Sequence, residues 1–408
     1  MKKLLFFLFL IVFSSEGFSQ NQNFVVVFKD SFEQPVRINQ RRNSNRETQA
    51  SQNEISRNQK LDRVDDFLGQ KNVATGRAKK FVDGAVGFVA ALSPAEVQKI
   101  KSDPAVDRVV EDFTMQGRPR MQGTRPRMQG ESLGDLLYNE QTKSSCAIPL
   151  MGGAQESGLQ SSIWVVDTGV DAGHRDLNVS RNRNFATSFV DNEPNPFDDG
   201  AGHGTHCAGL AAGTGAGDPG ITGMSPGAEI ISLKILDRNG MGNWSSLVLA
   251  LDHIEKYGVA GDVVMMSLGA SVGLNCSNFE PFLNEMIVDL GSKGIFIVMS
   301  AGNDSAAANE NLPGCINGPN VFTVGAMSFS CEALGVCSSL SNLGNPPIDW
   351  FAPGDNLIST FPGNQYQVMS GTSMAAALVA GVIHSKGGTP RAIQQVSCGG
   401  LTYSVAGR

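Results

Sequence analysis

The chain has 408 residues, a formal net charge of −7 and 41% hydrophobic residues. This length exceeds what one hydrophobic core usually supports, so we expect two or more folded units. The composition is that of a globular protein and excludes a fibrous or largely disordered chain, and the negative charge argues against nucleic acid as the main partner.

The N terminus has the pattern of a secretory signal peptide. Two lysines precede an apolar run from Leu4 to Phe13, and the small residues Gly17 and Ser19 follow. A transmembrane helix needs about 20 apolar residues, so this run is too short for a membrane anchor. We therefore predict a signal peptide over residues 1–19 and a secreted, extracellular protein.

Residues 20–114 are predicted to form a small α+β unit. The segments NFVVVFKD, GAVGFVAALS and VDRVVED have the character of strands, and the polar stretch from Gln52 to Gln70 has that of a helix. A second helix is expected to begin after Ser93, because Pro94 suits its first position and Glu96 completes a capping box.

The following segment, residues 115–130, is a repeat in which RPRMQG occurs twice and MQG three times. It carries four arginines and two prolines without apolar periodicity, so it cannot build a core. We interpret residues 115–147 as a linker and the start of the mature protein. A flexible tether and a tether exposed to proteolytic maturation are both compatible with this pattern.

Residues 148–408 are predicted to form a second, α/β domain. Short apolar strands, among them SIWVV, AEIISLKIL, GDVVMMSL and GIFIVMSAG, alternate with helical segments such as SSLVLALDHIEKYG. This alternation is typical of a parallel sheet covered by helices. In such sheets the active groups collect at the carboxyl ends of the strands.

Three motifs in this domain carry candidate catalytic residues. Asp167 ends the strand WVVD, His203 lies in GHGTHCAG, and Ser373 lies in GTSMA. Taken singly, each residue is explained by a turn, a packed core position or a helix cap. His203 and His206 are three residues apart with no glutamate between them, which does not suit zinc. The chain order Asp, His, Ser is the order found in subtilisin and differs from that of α/β-hydrolases.

With these motifs the chain resembles the subtilisin-like serine proteases of peptidase family S8, and in HGTHCAG their proteinase K branch. The resemblance implies a parallel sheet with helices on both faces. It also implies that the first unit is a ferredoxin-like pro-domain of the inhibitor I9 type, acting as intramolecular chaperone and inhibitor. The expected protein is a monomeric endopeptidase of broad specificity, made as a self-processed zymogen that acts on proteins or peptides.

The resemblance also assigns roles to residues. Ser373 would be the nucleophile, His203 the general base, Asp167 its partner, and Asn303 a donor to the oxyanion. Extended substrate would pair with Gly240, Met241 and Gly242 on one side and with Ser267, Leu268 and Gly269 on the other. The pocket for the residue before the cut would be walled by Ser267–Gly269 and by Ser300, Ala301 and Gly302. Because these walls are small and apolar, the pocket would favour aromatic or aliphatic side chains. No organic cofactor is expected. A structural calcium ion would bind Asp349 and the carbonyls of Pro319 and Val321.

The seven cysteines of an exported chain are expected to form disulfides and leave one thiol. Cys207 would be that thiol, packed behind the His203 ring as a small apolar group. Cys331 with Cys337 is the most local pairing, and Cys276 with Cys315 is a further hypothesis. A binding protein that keeps the fold with a silent site is the rival interpretation.

Overall fold

The computed structural model describes residues 22–32, 54–117, 137–272 and 281–408. The predicted signal peptide, residues 118–136 of the linker and Cys276 lie outside the described residues. The described residues form two units in contact with each other, which we call the N-terminal unit (residues 22–117) and the C-terminal unit (residues 137–408).

The N-terminal unit has the predicted α+β composition, and the structure arranges it as an antiparallel sheet with two helices on one face. The capping box is present, since Ser93 Oγ accepts a hydrogen bond from the Glu96 amide and the Glu96 carboxylate accepts one from the Ser93 amide. Its elements are β1 Gln22–Phe28, α1 Glu54–Lys71, β2 Ala78–Phe81, β3 Gly87–Leu92, α2 Pro94–Lys101, β4 Val106–Glu111 and a short β5 Thr114–Gln116. The sheet order is β2-β3-β1-β4.

The C-terminal unit is built on one large sheet. Its strands are β8 Ser162–Asp167, β9 Thr187–Ser188, β10 Glu229–Lys234, β12 Val263–Met266, β14 Phe296–Ser300, β16 Val321–Phe329, β17 Leu334–Cys337, β18 Ile348–Pro353, β21 Arg391–Cys398 and β22 Leu401–Gly407. They lie in the order β21-β22-β18-β16-β14-β12-β8-β10-β9, with β17 paired to β16. Pairing is parallel from β22 to β9, whereas β17 and β21 run antiparallel to their neighbours.

Short strand pairs and helices complete this unit. The short strands are β6 Tyr138–Asn139, β7 Ser144–Ser145, β11 Met241–Asn243, β13 Ala270–Ser271, β15 Asn311–Leu312, β19 Leu357–Phe361 and β20 Gln365–Met369. The helices are α3 Ala147–Leu150, α4 His203–Ala212, α5 Trp244–Tyr257, α6 Pro281–Ser292 and α7 Thr372–Lys386.

Alternation along the central strands explains why both faces of the sheet are covered. Successive side chains point to opposite faces. Trp164 and Val166 of β8 therefore pack in the cluster that contains α5 and α6, while Ile163 and Val165 pack in the cluster that contains α4 and α7. The α/β class with helices on both faces is confirmed. No helix of the described ranges is long and apolar enough to cross a membrane.

The disulfides differ from the most local prediction. Cys331 bonds to Cys146 rather than to Cys337, and Cys337 bonds to Cys398 in β21. Tertiary structure decides this, because β17 and β21 pack against each other and the Cα atoms of Cys337 and Cys398 lie 6.0 Å apart. Cys207 is free and buried, as predicted. The pairing of Cys276 with Cys315 falls outside the described residues.

Candidate active site

The three residues of the sequence motifs lie at the ends of secondary-structure elements. Asp167 is the last residue of β8, His203 the first of α4 and Ser373 the second of α7, and all three are buried. His203 Nδ1 lies 2.8 Å from Asp167 Oδ1 and 2.9 Å from Oδ2. The glycine after His203 is required, because a Cβ on Gly204 would stand 2.1 Å from the Gly169 carbonyl oxygen.

The environment of His203 favours its protonated form. Burial by itself would lower the pKa of His203, but the adjacent Asp167 carboxylate raises the pKa well above 6.5. The contacts of Nδ1 with Asp167 also fix the orientation of the ring and leave Nε2 for a second partner. An imidazole with this pKa is a stronger base than an ordinary histidine once it is deprotonated.

The second nitrogen of His203 faces Cys207, which also lies close to the backbone of Ser373. The Ser373 hydroxyl donates to the Ser267 carbonyl oxygen at 3.2 Å. Cys207 Sγ lies 3.8 Å from His203 Nε2 and 3.9 Å from the Ser373 carbonyl oxygen. Burial raises the pKa of the Cys207 thiol, so it stays protonated and packs as a small apolar group, in the predicted place.

His206 has a structural role. It lies one turn after His203 on α4, and its Nε2 is 3.1 Å from the Leu357 carbonyl oxygen and 3.0 Å from that of Gln367. Burial lowers the pKa of His206 to about 3, so the ring is neutral and donates one hydrogen bond to this pair of acceptors.

Asp199, which no sequence motif indicates, organises the backbone beside Asp167 and His203. Its carboxylate accepts hydrogen bonds from the hydroxyls of Thr168 and Thr205 at 2.7 and 2.6 Å, and from the amides of Gly202 and Thr205. Thr168 follows Asp167, so Asp199 links the end of β8 to the start of α4. Burial raises the pKa of Asp199. The only sequence signal is an aspartate four residues before His203.

Asn303 stands opposite the start of α7. Its Oδ1 accepts hydrogen bonds from the Thr372 amide at 2.8 Å and the Thr372 hydroxyl at 3.0 Å. These two bonds fix the orientation of the side-chain amide, and Asn303 and Ser373 line the same pocket. This arrangement suits an amide donor directed at a group held beside Ser373.

That pocket is less apolar than the sequence predicts. It is lined by Ser267, Leu268, Gly269, Ser300 and Gly302 of the predicted wall, while Ala301 is fully buried behind it. Asp304 and Asn311 also line it and add a carboxylate and an amide. Asn311 comes from β15, and its approach to Gly269 and Gly302 depends on tertiary packing that no local motif shows.

The end of the N-terminal unit occupies the cleft between the two predicted substrate-binding segments. Strand β5 pairs antiparallel with β11, so that Met115 faces Gly242. On its other side, Gln116 exchanges two backbone hydrogen bonds with Gly269, at 3.0 and 3.1 Å. The Gly117 amide donates to the Gly240 carbonyl oxygen at 3.0 Å. Met115–Gly117, placed in the linker by sequence, thus form part of an ordered three-stranded contact.

Metal ligands were predicted at Asp349, Pro319 and Val321. Asp349 is the second residue of β18, and its Oδ2 accepts a hydrogen bond from the Thr323 amide at 2.8 Å. This contact brings the carboxylate to the beginning of β16, where Val321 is the first residue. In the described part of the chain no Lys or Arg forms an ion pair with Asp349. Oxygen donors without a cationic partner fit a calcium ion.

The chain matches two family profiles and is similar to several known proteases. The profile of the Subtilase family (Peptidase S8) matches residues 158–386, and that of Peptidase inhibitor I9 matches residues 23–117. Subtilisin E of Bacillus subtilis (strain 168) is 30% identical over 78% of this chain and 73% of its own length. Alkaline serine protease ver112 of Corniculantispora psalliotae is 28% identical over 78% of this chain and 75% of its own length. Cuticle-degrading protease of Metarhizium anisopliae is 28% identical over 72% of this chain and 69% of its own length.

Proposed function

The chain belongs to the subtilase family of serine proteases, and from that premise we propose that it is a secreted endopeptidase of broad specificity, made as a zymogen that processes itself. The observation that carries the proposal is the contact of His203 Nδ1 with both carboxylate oxygens of Asp167, at 2.8 and 2.9 Å.

The proposed mechanism uses these three residues in sequence. Ser373 Oγ, after rotating from the Ser267 carbonyl toward His203 Nε2, attacks the peptide carbonyl while His203 takes its proton. His203 then passes the proton to the leaving amine, and Asp167 stabilises the cationic ring. Because His203 must be neutral to act as base and its pKa is raised, activity should rise with pH at values above 6.5.

The negative oxygen of the tetrahedral intermediate needs hydrogen-bond donors. We assign this role to the Asn303 side-chain nitrogen and the backbone amide of Ser373. The hydrogen bonds from Thr372 to Asn303 Oδ1 support the assignment, since they orient the amide before substrate arrives. Removing such a donor typically lowers kcat by roughly 10²- to 10³-fold.

Substrate is proposed to lie in the cleft that Met115–Gly117 occupy. Backbone hydrogen bonds to the segments Gly240–Gly242 and Ser267–Gly269 would hold an extended peptide and read its conformation more than its side chains. This supports broad specificity. Occupancy of the same cleft by the chain's own residues supports an inhibitory role for the N-terminal unit before maturation.

Calcium is proposed as a structural ion at Asp349 with the carbonyl oxygens of Pro319 and Val321. It would tie the start of β16 to β18 and supply no chemistry to the reaction. A chelator should then lower the melting temperature of the mature protein, and Asp349→Ala should abolish that effect. A melting temperature that does not respond to chelator in the unaltered protein would refute the site.

The decisive experiment compares the full chain with its Ser373→Ala variant by intact mass, casein hydrolysis and labelling with a fluorophosphonate. We expect the unaltered chain to lose its N-terminal unit, digest casein and take up the label, while the variant stays full length and inert. Equal processing of both chains would mean that another protease performs the cut. Absence of labelling and hydrolysis, even with calcium present and the N-terminal unit removed, would favour a binding protein with a silent site.

A further inference from the structure

The residues docked in the cleft are one copy of a sequence that occurs three times. Met115, Gln116 and Gly117 make the contacts with Gly240, Gly242 and Gly269. The same triplet, Met-Gln-Gly, returns at residues 121–123 and 128–130.

The cleft is selective for the first and third residues of the triplet. The Met115 side chain is fully buried and belongs to a cluster that includes Ile235, Trp244 and Leu268. Burying an unbranched apolar side chain of this size favours methionine over a polar residue.

Gly117 fits for a different reason. A Cβ at this position would stand 2.9 Å from Leu236 Cδ1 and 3.4 Å from His203 Nδ1, and Leu236 is itself fully buried. A residue larger than glycine would therefore have to displace a packed leucine next to the catalytic ring. The third position of the triplet therefore favours glycine over any larger residue.

The three copies are followed by different peptide bonds. Gln116 lines the same pocket as Ser373, and a Cβ on Gly117 would face His203. Because the strand advances by about 3.3 Å per residue, we take the residue after the glycine to be the one whose carbonyl reaches Ser373. That residue and its successor are Arg118–Pro119 after the first copy, Thr124–Arg125 after the second and Glu131–Ser132 after the third.

We propose that the three copies are alternative occupants of this cleft: the first copy inhibits, and self-cleavage takes place between Thr124 and Arg125 when the second copy is bound. The inference rests on the proposed protease function of the same site. In the cleavage step Ser373 Oγ forms an ester with the Thr124 carbonyl carbon, and the C–N bond to Arg125 breaks. His203 passes the hydroxyl proton to the departing amine, and water then hydrolyses the ester to free Ser373 and a Thr124 carboxylate.

The first copy resists cleavage because of Pro119. The proline nitrogen carries a ring carbon in place of hydrogen. This carbon obstructs the approach of His203 to the nitrogen that must be protonated for the bond to break. The first copy can therefore remain bound to the cleft without being consumed.

The third copy is disfavoured by charge. It would place Glu131 in a pocket that Asp304 lines, and two carboxylates in one pocket repel each other. The second copy places the small neutral Thr124 there instead. Of the three registers, the second alone combines a cleavable bond with a compatible side chain.

The experiment follows processing of the full chain by intact mass and by N-terminal sequencing of the earliest product. We expect the first new N terminus at Arg125. Gly123→Val should slow its appearance at least tenfold, while the matched variant Gly130→Val leaves the rate unchanged. Pro119→Ala should open a second cleavage, with an N terminus at position 119.

Other outcomes overturn the inference and separate it from the proposed function. A first N terminus other than Arg125, or equal slowing by Gly123→Val and Gly130→Val, would refute the choice of register while casein hydrolysis continues. No processing together with no casein hydrolysis would refute the proposed function itself. Ser373→Ala identifies any cut made by another protease, since that cut would persist in the variant.

Discussion

The N-terminal and C-terminal units bury their sheets in different ways. In the C-terminal unit, helices of that unit cover both faces. In the N-terminal unit, α1 and α2 cover the face that carries Val26 and Phe88, whereas Val25 and Val89 on the other face belong to the cluster of α5 and α6. Phe81 of β2 packs on Phe282 of α6, with ring centroids 5.9 Å apart.

The difference shows that the N-terminal unit depends on its partner to bury one face of its sheet. If this apolar face stays in water, the unit forgoes roughly 25 cal/mol of stabilising free energy for each Å² that it would otherwise bury. Polar contacts strengthen the dependence, because Asp112 accepts hydrogen bonds from the amide and hydroxyl of Ser245 at the start of α5. A unit of this kind is suited to fold against the C-terminal unit and to separate from it after cleavage.

The largest effect is expected inside the C-terminal unit, at Asp199. Replacing it with alanine leaves the buried donors of Thr168, Gly202 and Thr205 without their acceptor, so the free energy of unfolding should fall by about 3 kcal/mol or more. Thermal unfolding in the Ser373→Ala background measures this without self-digestion. The neighbouring Asp198→Ala, at an exposed position, should change stability by less than about 0.5 kcal/mol. Equal effects would mean that the Asp199 network is dispensable.

The second prediction concerns the contact between the units at Met115. Met115→Ala removes a fully buried side chain and should weaken the contact by about 2 to 5 kcal/mol. The lag before casein hydrolysis appears should shorten at least roughly tenfold, because the cleft is vacated more readily. Ile55→Ala, on a side chain that is 78% exposed, serves as the control. An unchanged lag for Met115→Ala would show that backbone pairing alone holds the cleft closed.

A smaller effect is expected from the disulfide between Cys337 and Cys398 in the C-terminal unit. The six cysteines within the described ranges all lie in that unit, and Cys337–Cys398 joins β17 to the hairpin β21–β22. Replacing both cysteines with serine should lower the free energy of unfolding of the mature protein by about 2 to 4 kcal/mol. Calorimetry of the mature protein measures the change. A melting temperature equal to that of the unaltered protein would mean that strand pairing alone holds the hairpin.

The smallest effect is a pH dependence of the contact between the units. Asp252 of α5 accepts a hydrogen bond from the Gly84 amide at 2.8 Å, and burial beside Asp83 raises the pKa of Asp252 to about 7. After separation this carboxyl faces water and returns to a pKa of about 4. Formation of the contact between the units therefore binds a proton at Asp252. The contribution of Asp252 to the affinity between the units is greatest below about pH 4 to 5. This contribution is lost as pH rises through about 7.

The affinity of the cleaved N-terminal unit for the mature protein, measured at pH 6 and pH 8, should fall up to about tenfold at the higher pH. Asp252→Asn should remove most of this change. Arg57 pairs with Asp83 at 2.9 Å and stays charged throughout this range, so it does not contribute to the slope. A slope that survives in Asp252→Asn would assign the effect to another group.

Local patterns are enough to propose the catalytic residues. Asp167, His203 and Ser373 each lie in a motif whose glycines and strand or helix ends belong to the same short segment, so the sequence alone makes them candidates. Asp199 was missed because its partners come from two elements, and its role is visible only once β8 and α4 lie side by side.

The sequence by itself determined the α/β class, the two units, the capping box of α2 and the candidate catalytic residues, because each depends on periodicity or on neighbours within a few positions. Only the tertiary structure decided the disulfide pairs, the polar lining of the pocket by Asp304 and Asn311, and the docking of Met115–Gly117 in the cleft. These features join residues far apart in the chain, and the packing of whole elements determines which distant side chains meet.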